Sequence, residues 1–185
     1  YEDGKPIADK PLNALQLAWF MMESLNHGYV AAVVWTMEDA WYDRLMPYGV
    51  IGRAKDGWPL KPSYHMLRLF THTIPTGWRA MRVSGTSEQV IVSAARGARE
   101  EELTVLVLNR SEKPARVTIS GVGAGGGVGR SLTETIWNGR GDGAITRGAK
   151  VQVDAKEIVR VTLRAMTLTA LTSAAPRMDG ADEAQ

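Results

Sequence analysis

The hydrophobic positions along the chain change their period twice. From Leu12 onward, Leu15, Ala18, Trp19, Met22 and Leu25 recur at three- and four-residue spacings, with Gln16, Glu23 and Asn26 between them. That spacing predicts one amphipathic helix of about four turns. Pro11 suits its first position and Asp9 is placed to cap it; His27-Gly28 ends it, glycine being suited to the left-handed conformation that closes a helix. An unbroken apolar run follows at 30–34, VAAVV, and predicts a strand covered on both faces. After a polar loop, Lys55-Asp56-Gly57 predicts a turn and Pro62 opens a second helix, PSYHMLRLFTHTI. A helix, a doubly buried strand, a loop and a helix cannot close a sheet by themselves. Pattern alone fits either a barrel or a doubly wound sheet.

At Ile74-Pro75-Thr76-Gly77 the helical period stops and alternation takes over. Strands are predicted at Trp78–Ser84, Gln89–Ala95, Leu103–Asn109, Ala115–Ser120, Leu132–Trp137, Lys150–Val153 and Ile158–Thr169. Short strands at this spacing indicate an antiparallel β-sandwich. Thr104 to Leu108 show little alternation, which places that strand at the centre. The glycine-rich run 121–129 is flanked by strands on both sides, whereas a phosphate-binding loop joins a strand to a helix; it reads as a hairpin connection. The expected organisation is therefore an αβα segment at 1–77, a β-sandwich domain at 78–172 and a disordered tail at 173–185, where small and charged residues have nothing to bury.

Composition narrows the function classes. Lys plus Arg is 22 against Asp plus Glu at 20, a net charge of +2 in 185 residues, so no nucleic-acid-binding face is implied. The 44% hydrophobic content is ample for a core, yet no apolar run approaches the roughly 18 residues of a membrane span. With no cysteine, disulfides and thiolate metal sites are excluded. His27, His65 and His72 do not form a metal set, since the last two lie two helical turns apart and no carboxylate completes a site with either. No cofactor is implied. Arg140-Gly141-Asp142 lies between glycines and reads as a turn. The chain begins at Tyr1 rather than Met and reads as a portion of a longer protein.

The candidate chemistry lies just after the apolar run, where Trp35, Glu38, Asp39, Trp41, Tyr42 and Asp43 crowd rings and carboxylates into nine positions. The order Val33-Val34-Trp35, this loop, Tyr48-Gly49-Val50-Ile51, the Lys-Asp-Gly turn, then Lys61-Pro62-Ser63-Tyr64 leading to Leu69-Phe70 resembles the eighth strand and helix of clan A retaining glycoside hydrolases. The resemblance covers roughly the first 80 residues and implies the last αβα segment of a (β/α)8 barrel followed by a β-sandwich. It also implies a carbohydrate substrate, and an upstream barrel segment of the same protein as partner.

Such enzymes work with two carboxyl groups about 5 Å apart. The resemblance places both upstream of this chain, so no catalytic residue is assigned here; Glu2 lacks the apolar strand that should precede a nucleophile. Trp35 falls where the family has an aromatic platform under the sugar, a role an indole fills with its flat apolar face and its N–H. The alternative is a core indole at a strand end. Glu38 and Asp39 point to opposite faces of an extended chain, so they are not a catalytic pair. One of them binds sugar hydroxyls, or both are solvated or paired with Arg44 or Arg53. Trp41 and Tyr42 either wall an outer subsite or pack the loop onto the barrel rim. A reading from another class is a non-catalytic carbohydrate-binding or interaction module, for which the sandwich offers only Trp78 and Trp137.

Overall fold

The computed structural model describes residues 6–29, 31–41, 45–122, 131–140 and 143–173; the glycine-rich run from 123, the centre of the Arg-Gly-Asp turn and the tail beyond Ser173 lie outside them. Helix α1 (Pro11–Asn26) and helix α2 (Pro62–Thr73) begin at the two prolines that suit a first helical position. Gly28, at φ 80°, follows α1 in the left-handed region. Asp9 does not cap α1: the cap position is Lys10, without a side-chain hydrogen bond, and the Asp9 carboxylate turns instead to Lys61.

Among the described residues between the helices lie only β1 (Ala40–Trp41), β2 (Leu45–Met46) and a 3-10 turn at Ala54–Asp56, closed by Gly57 at φ 81°. Among the described residues the expected strand at 30–34 is absent. Ala31 to Val34 carry no ladder, and Val33 is 89% exposed. A run apolar on both faces is a strand only where neighbouring strands complete its hydrogen bonds, and among the described residues none lies beside it.

The remainder is antiparallel. Strands β3 (Arg79–Met81), β4 (Val90–Arg96), β5 (Leu103–Asn109), β10 (Thr167–Thr172), β7 (Ser131–Asn138) and β8 (Ile145–Gln152) form one six-stranded sheet in that order. Strands β6 (Ala115–Ser120) and β9 (Ile158–Leu163) form a separate two-stranded ribbon. β5 and β10 sit at the centre and are buried at every position. The reason is visible in β5: Leu106 and Leu108 face the helices, while Leu103, Val105 and Val107 face the ribbon.

The single strand expected at Ile158–Thr169 is two strands, β9 and β10, in different sheets. The break carries no glycine or proline. It is set by tertiary hydrogen bonds: the Asn109 side chain donates to the Arg164 carbonyl at 2.8 Å, and Met166, at φ 56°, donates its N–H to the Ser111 carbonyl at 3.0 Å.

The change of period at residues 74–77 marks the end of α2, yet helices and sheet share one core. Ala14, Leu15, Ala18 and Met22 of α1 and Met66, Leu69 and Phe70 of α2 pack with Ile91, Leu106, Leu108, Trp137, Leu168 and Ala170. Buried polar groups stitch the layers together: Asn26 Nδ2 donates to the Val92 carbonyl at 2.9 Å and Ser93 Oγ to the Met22 carbonyl at 3.1 Å.

The β8–β9 turn supplies a pH-dependent element. Asp154 accepts the N–H groups of Ile158 and Lys156, both at 2.9 Å, and Arg160 Nη1 at 3.0 Å. The Ile158 amide above all, with Arg160 and Lys156, holds this carboxyl below its ordinary value. A lowered value in the folded chain means a contribution that is present above the unfolded value and lost as pH falls through the folded one. The Lys156 and Ile158 amide resonances are therefore expected to shift together on acidification below the ordinary carboxylate range. In Asp154→Asn they should stay flat.

Candidate functional site

The stretch from Ala31 to Lys61 is held less by regular elements than by three backbone segments laid side by side. Val50 and Ile51 donate their N–H groups to the Thr36 and Met37 carbonyls at 3.0 Å each, and Asp39 donates to the Ile51 carbonyl at 3.2 Å. On the other side Gly52 donates to the Pro59 carbonyl at 2.8 Å and Lys61 to the Val50 carbonyl at 3.2 Å. Gly49 makes the closeness possible, because a Cβ there would overlap the Asp39 nitrogen and the Ile51 carbonyl oxygen. Gly49→Ala is accordingly expected to cost about 1–3 kcal/mol through forced displacement of this backbone. Thermal unfolding checks it, and an unchanged melting temperature would show the loop able to part freely.

One buried cation fastens the arrangement. Lys61 is 6% exposed, and its Nζ lies 2.7 Å from Asp39 Oδ1 and 2.8 Å from Asp9 Oδ1. The same Asp39 oxygen accepts the Gly49 N–H at 2.8 Å. Lys61 thus ties the turn before α1, the loop at 39 and the start of α2 to one point. A cleft of about 380 Å³ opens here, with Asp9, Asp39, Arg53, Asp56 and Lys61 on its walls.

The residues expected at a sugar site fall into three groups. Trp35 is 74% exposed, outside the core, and its peptide bond to Thr36 is cis. Glu38 is half-buried, and its Oε1 accepts the Ala54 N–H at 3.3 Å, so it braces the 3-10 turn. Asp39 is turned inward to Lys61, while Arg53 pairs with Asp56 at 3.2 Å. The backbone of Trp41 lies in β1, and Tyr42, like Arg44, is outside the described residues. The structure adds Lys61, Tyr48 and Trp58, the last two being exposed rings in the same stretch. Trp58 sits at φ 56°, a conformation that bulky residues seldom adopt. Its signal in the sequence was an aromatic directly after Gly57, and Lys61 was hidden because long-range partners leave no local pattern. Among the described residues no group of three His, Asp or Glu is arranged around a metal position.

Two helices lying on an antiparallel sheet, with a ring-bearing loop before the second helix, define a mixed helix-and-sheet protein. No family model matches the sequence, and no curated protein matches it. Solved structures do. The chain is similar to a glycoside hydrolase family 30 subfamily 8 xylanase from Clostridium acetobutylicum, with 13% identity and a TM-score of 0.65 over 89% of this chain and 39% of that one. A family 30 endoxylanase from Clostridium papyrosolvens C71 gives 17% identity and a TM-score of 0.67 over 90% of this chain and 39% of its own. An arabinose-bound family 51 α-L-arabinofuranosidase gives 12%, 0.66, 89% and 27% respectively. The chain therefore has the fold of a part of these glycoside hydrolases, as the resemblance at Val33–Phe70 implied, and spans about two fifths or less of their length.

Proposed function

We propose that the chain is the C-terminal portion of a retaining hydrolase of O-glycosidic bonds. On this reading residues 1–77 are the last strand and flanking helices of a (β/α)8 barrel, residues 78–172 a β-sandwich, and both catalytic carboxylates lie upstream. Trp35 is the platform on which the sugar stacks, and Glu38, Trp41 and Tyr42 border it. Asp39 holds the loop through Lys61.

The observation that carries the proposal is the segment before the site. Tyr29, Ala31, Ala32, Val33, Trp35 and Met37 are all exposed, and Val33, at 89%, is the most exposed large hydrophobic residue among those described. A strand-like apolar segment exposed in this way calls for strands on either side of it. Barrel strands of the upstream segment would supply them and would leave Trp35 at the strand's carboxyl end, where barrel enzymes keep their sites. The module reading has less support: Trp137 is fully buried and Trp78 is half-buried, so the sheet portion presents no aromatic platform.

The test is Val33→Lys, made twice. In the 185-residue chain it should leave the melting temperature unchanged, because the side chain meets only solvent. In a longer protein carrying an upstream barrel it should bury an unpaired ammonium and cost several kcal/mol, enough to remove soluble active enzyme. Full tolerance in the longer protein would contradict the barrel placement. The chain alone should hydrolyse no aryl glycoside above background; turnover abolished by Glu2→Gln would make Glu2 the nucleophile and overturn the assignment of the carboxylates.

A further inference from the structure

We infer that the groove between α1 and the ends of the strands β4, β5 and β10 is a second carbohydrate-binding site, one that takes a neutral oligosaccharide chain. This rests on the carbohydrate reading above but uses none of the loop residues 31–61. At about 1120 Å³ the groove is much larger than the cleft at Lys61. Leu12, Gln16, Trp19, Glu23 and His27 follow one another at three- and four-residue steps, so they form a single stripe of α1 along one wall. At 1.5 Å per residue that wall is about 22 Å long, room for several sugar units. Leu15, Ile91 and Met166 make an apolar floor, and Ser87, Glu88 and Gln89 form the far rim.

The centre of the groove is Trp19. Its indole is 41% exposed, and the Arg110 guanidinium carbon lies 4.5 Å from the ring centroid. The arginine is itself fixed: its backbone N–H donates to the Gln89 carbonyl at 2.8 Å and its Nη1 to the Glu88 carbonyl at 3.4 Å. The guanidinium over one face steadies the ring, and both side chains line the groove. An immobilised indole flanked by amide, carboxylate, hydroxyl and guanidinium groups matches a ligand with flat C–H faces and many hydroxyls. A docking protein would instead meet an apolar, charge-depleted centre. Glu23 and Glu88 beside Arg110 leave no surplus of positive charge, which disfavours a polyanion.

Affinity electrophoresis of the 185-residue chain through gels containing soluble arabinoxylan tests this. The wild-type chain should be retarded. Trp19→Ala should weaken retardation roughly tenfold, from loss of the stacking surface, and Arg110→Met, which keeps the stem and removes the charge, by a smaller factor. Alanine is a strong helix former, so Trp19→Ala keeps α1, and the melting temperature of each variant, measured beside its retardation, separates lost binding from lost fold. Trp35→Ala should keep the retardation that depends on Trp19. The inference is overturned if the wild type runs unretarded, if Trp19→Ala is retarded as strongly as wild type, or if only polygalacturonate retards the chain. The Val33→Lys experiment reads a different property, so the barrel proposal stands or fails separately.

Discussion

Replacement of Lys61 by methionine is expected to lower the melting temperature by roughly 6–12 °C. The ammonium is almost wholly enclosed and lies within hydrogen-bond distance of Asp39 and Asp9. Removing one member of a buried ion set leaves its partners unpaired, at a cost of about 3–5 kcal/mol. The lower end applies here, because the Asp9 side chain is 35% exposed and regains water, whereas that of Asp39 at 12% does not. About 3 kcal/mol in a chain of this size corresponds to that shift in melting temperature. The double variant Lys61→Met with Asp39→Asn should lose less than the sum of the two single changes, since it removes the stranded charge together with its partner. A melting temperature within a degree of wild type for Lys61→Met would mean that the three segments are held by their backbone bonds alone.

In a complete hydrolase containing this segment, Trp35→Phe is expected to lower catalytic efficiency by roughly ten- to a hundredfold. Phenylalanine keeps most of the apolar face but loses the N–H donor and part of the stacking area. One good hydrogen bond and that area together are worth about 1.4–2.8 kcal/mol, each 1.4 kcal/mol being a factor of ten. The exposure of Trp35 in this chain, 74%, does not carry over to a protein whose upstream strands flank it, so the melting temperature of the same preparation is what separates this effect from folding. Trp41→Phe, at the outer position of the proposal, should cost much less.

The parts legible in the sequence were those fixed by local chemistry. Pro11 and Pro62 announced both helix starts, Gly28 the left-handed closure of α1, Gly57 a turn, and the little alternation in Thr104 to Leu108 the central place of β5. What escaped depends on partners distant in sequence. The capping role expected of Asp9 lost to Lys61, 52 residues away, because a buried ammonium needs its carboxylates more than a helix start in reach of water needs a cap. The break between β9 and β10 is held by Asn109 and Ser111, and nothing near Arg164 in sequence signals it. The apolar run at 30–34 predicted a doubly covered strand, and its described residues, 31–34, form none. Among the described residues no strand lies beside it, and Ala31, Ala32 and Val33 are exposed.

The candidate site was legible as a cluster of residue types and not as an arrangement. Trp35 and its neighbours stood out because rings and carboxylates cluster there, but composition could not tell a carboxylate that meets a ligand from one that holds the loop. The structure separates Glu38, which braces the 3-10 turn from a half-buried position, from Asp39, enclosed with Lys61.

The most direct test of the sugar platform is to measure kcat/KM and melting temperature on the same preparations of a longer protein carrying this chain, as wild type, Trp35→Phe and Trp41→Phe. The account predicts an efficiency lowered roughly ten- to a hundredfold for Trp35→Phe at an unchanged melting temperature, and a much smaller loss for Trp41→Phe. Full efficiency in Trp35→Phe, or a loss that only tracks the fraction of unfolded protein, would contradict it and move the sugar away from Trp35.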